Sequence, residues 1–175
     1  MKKSIAPFDY AGVICNAMNP GILLTTKSGD TVNTMTIGWG KIGIEWNRPV
    51  FIAYVRETRY TKQLLEEVGE FTVNIPNGDV DSKILAYCGT KSGRDTDKIR
   101  DLGLTLVDSD VIQVPGIQEL PLTLECKVIY SQKQDLSRLT KDVMDRFYPV
   151  MDENGFQDYH IAYYGEIVNA YLIEV

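Results

Sequence analysis

The chain has 175 residues, 44% of them hydrophobic and 24% charged, a composition typical of a globular rather than a disordered protein. Its length predicts a single domain over residues 1–175, long enough to bury one substantial core. The net charge of −6 excludes an extended nucleic-acid surface, which needs clustered lysine and arginine, and no apolar run is long enough for a membrane span.

The cysteines and the single histidine limit the chemistry further. Cys15, Cys88 and Cys126 are odd in number and widely spaced, which favours reduced thiols over a disulfide framework. No metal is expected, because His160 is the only histidine and no CxxC pair is present. The first residues lack the apolar core of a signal peptide, so we expect a cytoplasmic protein. For Cys88, buried packing is a better interpretation than redox participation.

The first third of the chain is predicted to be mostly strand. Residues 5–10 and 13–18 indicate an entry strand or arm, followed by a turn at residues 19–21. Residues 22–26 form a predicted strand, which residues 27–30 can join as a hairpin to the next one. In that next strand, from residue 33, Thr34 and Thr36 share a face with Gly38. The alternation predicts a flat, hydroxyl-lined face.

A basic junction follows a second apolar strand. Residues 47–49 are predicted to break the chain before the buried strand 50–55, and a helix is predicted from about residue 62 to Gly69. Between them the sequence crowds together hydroxyl and guanidinium groups: Arg56, Thr58, Arg59, Tyr60 and Thr61. Free N–H groups at a helix start and two guanidiniums suit a phosphate. The alternative is ordinary surface ion pairs.

A second basic segment lies between two short predicted helices. A strand at residues 71–75 precedes a helix capped by Asp81, and Asp95 or Thr96 can cap another helix that ends at Gly103. The loop 88–98 combines glycines with hydroxyl and cationic side chains, and could wrap an anion or a heterocycle. The alternative is a helix-to-helix linker with solvated charges.

The remainder of the chain returns to strands. Residues 104–108, 122–132 and 161–175 are predicted strands, and the polar excursion 135–154, with a short helix at 140–147, is interpreted as a lid or an interface arm. Seven or eight closely spaced strands with few helices indicate a mainly β fold, either an antiparallel barrel or a sandwich.

Four segments, in this order and spacing, resemble one family. NTMTIGWG, VRETRYT, CGTKSGRDTDK and DYHIAYYGEIVNAYLIEV resemble the flavin reductase-like proteins of the FMN-binding split-barrel fold, particularly the flavoredoxins. The resemblance covers nearly the whole chain. It implies an antiparallel Greek-key split β-barrel that forms a homodimer and holds FMN noncovalently near the subunit interface.

The resemblance also implies a role for particular residues. Three would line the flavin ring (Thr34, Met35, Thr36), four would hold the phosphate (Arg56, Arg59, Tyr60, Thr61), and three would close over the ribityl chain and ring (Ser92, Arg94, Lys98). Lys98 is placed at a helix start, where a cation is unfavourable unless it faces an anion, so we expect it to face the flavin or its phosphate.

The implied activity is an NAD(P)H-dependent flavin oxidoreductase that moves hydride or electrons through FMN. The alternatives are a flavoredoxin-type electron carrier reduced by a protein partner and a non-catalytic flavin-binding domain. No GxGxxG follows a predicted strand, so a nicotinamide would have to stack directly on the flavin. No catalytic nucleophile is expected. His160 is either a structural hydrogen-bonding group or a contact on the substrate side.

Overall fold

The computed structural model describes residues 1–174, and antiparallel strands make up most of it. The ten strands are β1 Lys2–Ser4, β2 Ile22–Ser28, β3 Thr31–Ile37, β4 Gly40–Glu45, β5 Arg48–Arg56, β6 Glu70–Ile75, β7 Leu106–Val107, β8 Gly116–Ile117, β9 Leu122–Lys133 and β10 His160–Ile173. The α-helices are α1 Ala11–Ala17, α2 Tyr60–Val68, α3 Ser82–Thr90, α4 Lys98–Leu102 and α5 Lys141–Phe147, with 3₁₀ turns at Pro7–Tyr10 and Leu136–Arg138.

The main sheet curves around one hydrophobic core. Its strands run in the order β3-β2-β6-β9-β10-β5-β4, all neighbours antiparallel, and β1 also pairs with β10. Phe51, Phe71 and Leu124 are fully buried in this core, which also takes the apolar face of α2. At one end of the order, β3 lies beside β5 without pairing with it. A gap is therefore left between the outer edge of β3 and the end of β5.

A second layer covers the other face of β2, β3 and β6. It consists of α3, α4 and the small β7–β8 ladder, packed through a core cluster that includes Leu23, Leu85 and Leu120. Under it lies a polar network in which Asn74 donates to Thr25 Oγ1 at 3.0 Å. This layer brings the α3–α4 connection over the free edge of β3.

One buried carboxylate fastens the segment before β8 to the sheet. Glu125 is fully buried in β9 and accepts hydrogen bonds from the backbone N–H groups of Asp110 (2.8 Å), Val111 (2.8 Å) and Ile112 (3.3 Å). Asn169 in β10 donates to the same side chain at 3.1 Å. Three loop amides thus find their partner in a single side chain, and the buried side chains of Ile112 and Val114 hold the same segment against the sheet.

Several predicted elements are confirmed. The antiparallel, mainly β class is correct, as are the long strands β9 and β10, although Val175 of the predicted final strand lies outside the described residues. Asp81 caps α3 by accepting from the Lys83 N–H, and Gly69 ends α2 in the left-handed region with φ of 71°. The cap of α4 is Asp97 instead of Asp95 or Thr96, because its carboxylate accepts from the Arg100 N–H.

Two predictions near the start of the chain were wrong. The predicted arm at residues 13–18 belongs to the helix α1. Only Ile14 of this helix is fully buried, whereas a strand would have buried alternate side chains. The predicted break at residues 47–49 lies within a hairpin. Trp46 and Asn47 make its turn with φ of 50° and 58°, so β4, which was not predicted, pairs with β5 from Arg48 onward.

The predicted strand at residues 104–108 is reduced to the two residues of β7. No helix in the part of the chain that the structure describes is both long and apolar enough to cross a bilayer.

Candidate functional site

Two adjoining cavities occupy the gap between β3 and β5. The first, the α2 cavity, has a volume of about 250 Å³ and lies between the start of α2, the edge of β3 and the α3–α4 connection. The second, the β5 cavity, has a volume of about 210 Å³ and lies between the end of β3 and the end of β5. Met35, Thr36 and Arg59 line both. Together the cavities form an elongated site along one sheet edge.

The α2 cavity carries a concentration of positive charge. Among the described residues, its lining includes four cationic side chains and no aspartate or glutamate; the cations are Arg59, Lys91, Arg94 and Lys98. The chain as a whole has a net charge of −6, so this imbalance is local and opposite in sign. A cavity with this lining favours a small anion over a cation or a neutral ligand.

The start of α2 adds backbone donors to the cavity. Helix α2 has nine residues, no acidic residue in its first turn and no side-chain cap at Arg59. Within residues 1–174, the backbone N–H groups of Tyr60 and Thr61 have no hydrogen-bond partner. The Thr61 hydroxyl accepts from Asn33 Nδ2 at 2.8 Å, so its own proton remains available. These groups lie at the positive end of the helix dipole, where a phosphate is favoured.

The two arginines of this cavity are not used in ion pairs. The Arg59 side chain is exposed and makes neither a hydrogen bond nor a salt bridge with any described residue. Arg94 donates through Nη1 to the Thr58 carbonyl at 3.2 Å and lies 5.2 Å from the centre of the Tyr60 ring. It thereby links the α3–α4 connection to the β5–α2 junction. Of the two arginines for which surface ion pairs were the alternative, neither Arg56 nor Arg59 makes a salt bridge with any described residue.

Lys98 is buried in the wall of the α2 cavity. Only 4% of it is exposed, and Nζ donates to the Thr34 carbonyl at 2.9 Å and to the Cys88 carbonyl at 3.1 Å. Burial lowers the pKa of Lys98, and the charge of Arg59 contributes in the same direction. An ammonium has three N–H groups, so one remains for a ligand in the cavity. The solvated-linker alternative is wrong for this residue.

A glycine allows the α3–α4 connection to close on β3. A Cβ built on Gly93 would lie 2.1 Å from Asn33 Oδ1 and 3.0 Å from Tyr60 Cδ1, so any side chain there would push the segment outward. Its neighbour Ser92 lines the cavity and accepts from the Arg94 N–H at 3.2 Å. Ser92, Arg94 and Lys98 are thus brought together with Arg59, Tyr60 and Thr61, as predicted from the sequence.

The predicted hydroxyl-lined face of β3 is not open. The Thr34 side chain is fully buried, accepts from Thr25 Oγ1 at 3.0 Å and donates to the Leu24 carbonyl, and the Thr36 hydroxyl donates to the Leu85 carbonyl at 2.7 Å. The reason is that α3 packs against this face. Thr34, which the resemblance places against the flavin ring, therefore lines neither cavity, whereas Met35 and Thr36 line both.

Arg56 does not reach the α2 cavity. Its guanidinium donates to the backbone carbonyls of Asp158 at 2.6 Å and Phe147 at 3.1 Å, and it lies 5.4 Å from the Tyr148 ring centre. It lines the β5 cavity instead. One of its donors is committed to Phe147 in the polar excursion and another to Asp158, just before β10, so the structure separates Arg56 from the predicted phosphate group.

His160 is one of the ring side chains that line the β5 cavity, with Trp39 and Tyr54. It is buried at the start of β10, its ring centre lies 4.8 Å from that of Trp39, and Nδ1 is 2.8 Å from the Tyr148 hydroxyl. Burial, and then the charge of Arg56, lower the pKa of His160 to about 4, so its imidazole is neutral at pH 7. The hydrogen bond at Nδ1 is consistent with the structural interpretation from the sequence. His160 also lines the β5 cavity, and a contact with a substrate there stays a prediction.

Cys88 lines the α2 cavity as a protonated thiol, since burial raises its pKa to about 11. Asn33 was not predicted as a site residue. Its side chain links β3 to α2 by donating to the Thr61 hydroxyl, and Gly93 packs directly against it. A signal was available, because asparagine is unusual inside a strand of β-branched residues.

The family is decided by comparison with known proteins. The family model described as "Flavin reductase like domain" matches residues 17–174. The chain belongs to this family. Flavoredoxin from Methanosarcina acetivorans is similar in structure, with 25% sequence identity and a TM-score of 0.63. The match covers 88% of the present chain and 68% of the flavoredoxin chain. An FMN-binding domain of a flavin reductases-like enzyme from Shewanella baltica is 15% identical with a TM-score of 0.68, covering 98% and 77%.

These neighbours have split-barrel folds, which confirms the predicted split β-barrel. Among curated proteins, an uncharacterised protein of Archaeoglobus fulgidus is 35% identical over 97 residues, which is 55% of the flavin reductase-like chain and 54% of the relative. The chain thus spans little more than half the length of this relative.

Proposed function

We propose that the chain binds FMN in the gap between β3 and β5 and acts as an NAD(P)H-dependent flavin oxidoreductase. The observation that carries the proposal is the α2 cavity, in which four cations, no carboxylate and two free helix N–H groups converge in an acidic protein. FMN is elongated and has a dianionic phosphate at one end, and the two adjoining cavities offer an anion site and an aromatic-walled site in sequence.

The residues divide between the two ends of such a ligand. Arg59, Thr61 and the first N–H groups of α2 would hold the phosphate, with Arg94 and Ser92 closing over it from the α3–α4 connection. Met35 and Thr36, on the shared wall, would contact the flavin ring. Bound FMN would supply the redox chemistry, because its ring accepts hydride or electrons that amino-acid side chains cannot.

Two residues would tune and shield the site. Lys98 has one uncommitted N–H at the cavity wall, where its charge would favour a ligand that gains negative charge. Trp39, 40% exposed beside His160, would limit the access of water to the β5 cavity and give a reaction partner a surface to pack on.

The experiment begins with flavin binding. The purified chain is titrated with FMN, riboflavin and FAD by fluorescence, and the loaded protein is then mixed anaerobically with NADH or NADPH while flavin absorbance is followed. Bleaching by either nicotinamide supports the oxidoreductase. FMN binding without bleaching by either one instead assigns a flavoredoxin-type carrier or a non-catalytic flavin-binding domain. Absence of flavin binding contradicts the whole proposal.

We also propose that the chain is a cytoplasmic homodimer. Exposed apolar side chains at one end of the sheet support self-association. The exposed fraction is 71% for Ile44, 55% for Trp46 and 42% for Tyr130, and the rings of Trp46 and Tyr130 lie 5.9 Å apart. Clustered apolar side chains of this kind are commonly covered by a partner. A second copy would also cover β4, an edge strand of the sheet.

A further inference from the structure

The polar excursion contributes a hydrogen-bonded chain to the β5 cavity. Tyr148, just after α5, is buried, and its hydroxyl lies 2.6 Å from Gln134 Oε1 and 2.8 Å from His160 Nδ1. The Tyr148 and His160 rings meet edge to face, with centres 5.6 Å apart at an interplanar angle of 84°. Gln134 follows β9, and its own N–H donates to the His160 carbonyl at 3.0 Å. The three side chains therefore form a hydrogen-bonded series in the order Gln134, Tyr148, His160.

The direction of this chain follows from counting protons. A tyrosine hydroxyl has one proton to donate, and an amide oxygen can only accept. Two oxygens 2.6 Å apart repel unless a proton lies between them, so Tyr148 donates to Gln134. The contact with Nδ1 can then be a hydrogen bond only if His160 is the donor. Burial raises the pKa of Tyr148, which keeps the hydroxyl protonated at neutral pH.

The other ring nitrogen is left without a protein partner. No atom within residues 1–174 makes a hydrogen bond to His160 Nε2, and His160 lines the β5 cavity. The guanidinium of Arg56 beside it donates to two backbone carbonyls. With the imidazole neutral and its proton on Nδ1, Nε2 presents a lone pair.

We propose that Tyr148 and Gln134 are positioning residues that hold His160 in the Nδ1–H tautomer, so that Nε2 faces the β5 cavity as a hydrogen-bond acceptor. A cavity with this acceptor selects an occupant that presents an N–H or O–H group, such as a primary amide or an alcohol, over one that presents a carbonyl or carboxylate oxygen. The inference rests on the proposed function only for which molecule enters the cavity. The tautomer is a property of the chain itself.

The sequence offers a clean test because His160 is the only histidine. Protein labelled with ¹⁵N-histidine gives a single imidazole, and a long-range ¹H–¹⁵N spectrum at pH 7 distinguishes a protonated from an unprotonated nitrogen at each position. We expect wild-type protein, with or without FMN, to show Nδ1 protonated and Nε2 bare. A wild-type spectrum with the proton on Nε2 would overturn the proposal.

Two variants at Gln134 should give opposite tautomers of His160. Gln134→Leu removes the acceptor, so Tyr148 turns its proton to Nδ1 and the His160 proton moves to Nε2. Gln134→Glu keeps an acceptor and should retain the wild-type tautomer. A merely structural Gln134 would leave the tautomer unchanged in both variants, and that result would refute the positioning role.

Tyr148→Phe, which keeps the ring and removes the hydroxyl, should shift the population toward Nε2–H. The matched control is Tyr130→Phe, at an exposed ring that makes no hydrogen bond to His160, and it should reproduce the wild-type spectrum. If Tyr148→Phe does not fold, the Gln134 pair still decides the question, because Gln134 is only partly buried. Failure of flavin binding would refute the proposed function and leave these spectra unaffected.

Discussion

Replacing Arg59 with alanine should weaken the binding of FMN and spare that of riboflavin, which lacks the phosphate. The Arg59 side chain makes no hydrogen bond or salt bridge within residues 1–174, so its loss removes no contact that stabilises the fold. A hydrogen bond to a charged group contributes about 1.5–3 kcal/mol. Because Arg59 is exposed to solvent, which screens its charge, we expect the lower value of about 1.5 kcal/mol, or roughly a tenfold rise in Kd.

In the assay, each protein is titrated with FMN and with riboflavin at low and at high salt. The quenching of flavin fluorescence reports binding. Arg138→Ala is the matched control, since the Arg138 side chain is 86% exposed, its one salt bridge within residues 1–174 is to Asp135, and it lines neither cavity. The tenfold difference should shrink as salt rises. Equal losses for the two flavins would refute the reasoning, because they would mean that Arg59 contacts the ring and not the phosphate.

The remaining predictions concern charge, pH and assembly. Lys98→Met should lower the midpoint potential of bound FMN by tens of millivolts if the free N–H faces the ring. If the N–H faces the phosphate, the variant should instead bind FMN more weakly at an unchanged midpoint potential. A variant with unchanged potential and unchanged affinity would contradict both placements of the N–H. His160 takes up a proton near pH 6.5 when unfolded and near 4 when folded, so urea unfolding should show stability present above pH 6.5 and reduced by up to ~3 kcal/mol as the pH falls to 4. In His160→Gln this contribution should vanish. Light scattering at micromolar concentration should give twice the 19.7 kDa chain mass, and a monomer would count against the homodimer.

The sequence was most informative where local chemistry decides the structure. Asp81 and Gly69 carry signals that act within one helical turn, and both occupy the predicted positions. The basic junction was also predictable, because Arg59, Tyr60 and Thr61 are consecutive and a helix start orients them without help from distant residues.

The errors concern features that depend on what packs from elsewhere. Alternation along β3 separates Thr34 from Met35, but only the position of α3 decides which face stays open. Arg56 lies three residues before Arg59, yet the carbonyls of Phe147 and Asp158, 91 and 102 residues later in the chain, bind its guanidinium beside the other cavity. The hairpin turn at Trp46 and Asn47 has positive φ without a glycine, so the usual signal of such a turn was absent.

The buried carboxylate of Glu125 has a consequence for how the molecule opens. Three consecutive amides, those of Asp110, Val111 and Ile112, share one acceptor, so a single rotation of that side chain releases all of them together. Their deuterium uptake, corrected for the intrinsic exchange rate of each amide, should therefore give one common opening free energy, set by Glu125 and not by each residue's own exposure. The rest of the segment before β8 has other attachments, since the Gln113 N–H donates to Glu70 at 2.9 Å and Val114 is fully buried, so this shared opening is confined to residues 110–112.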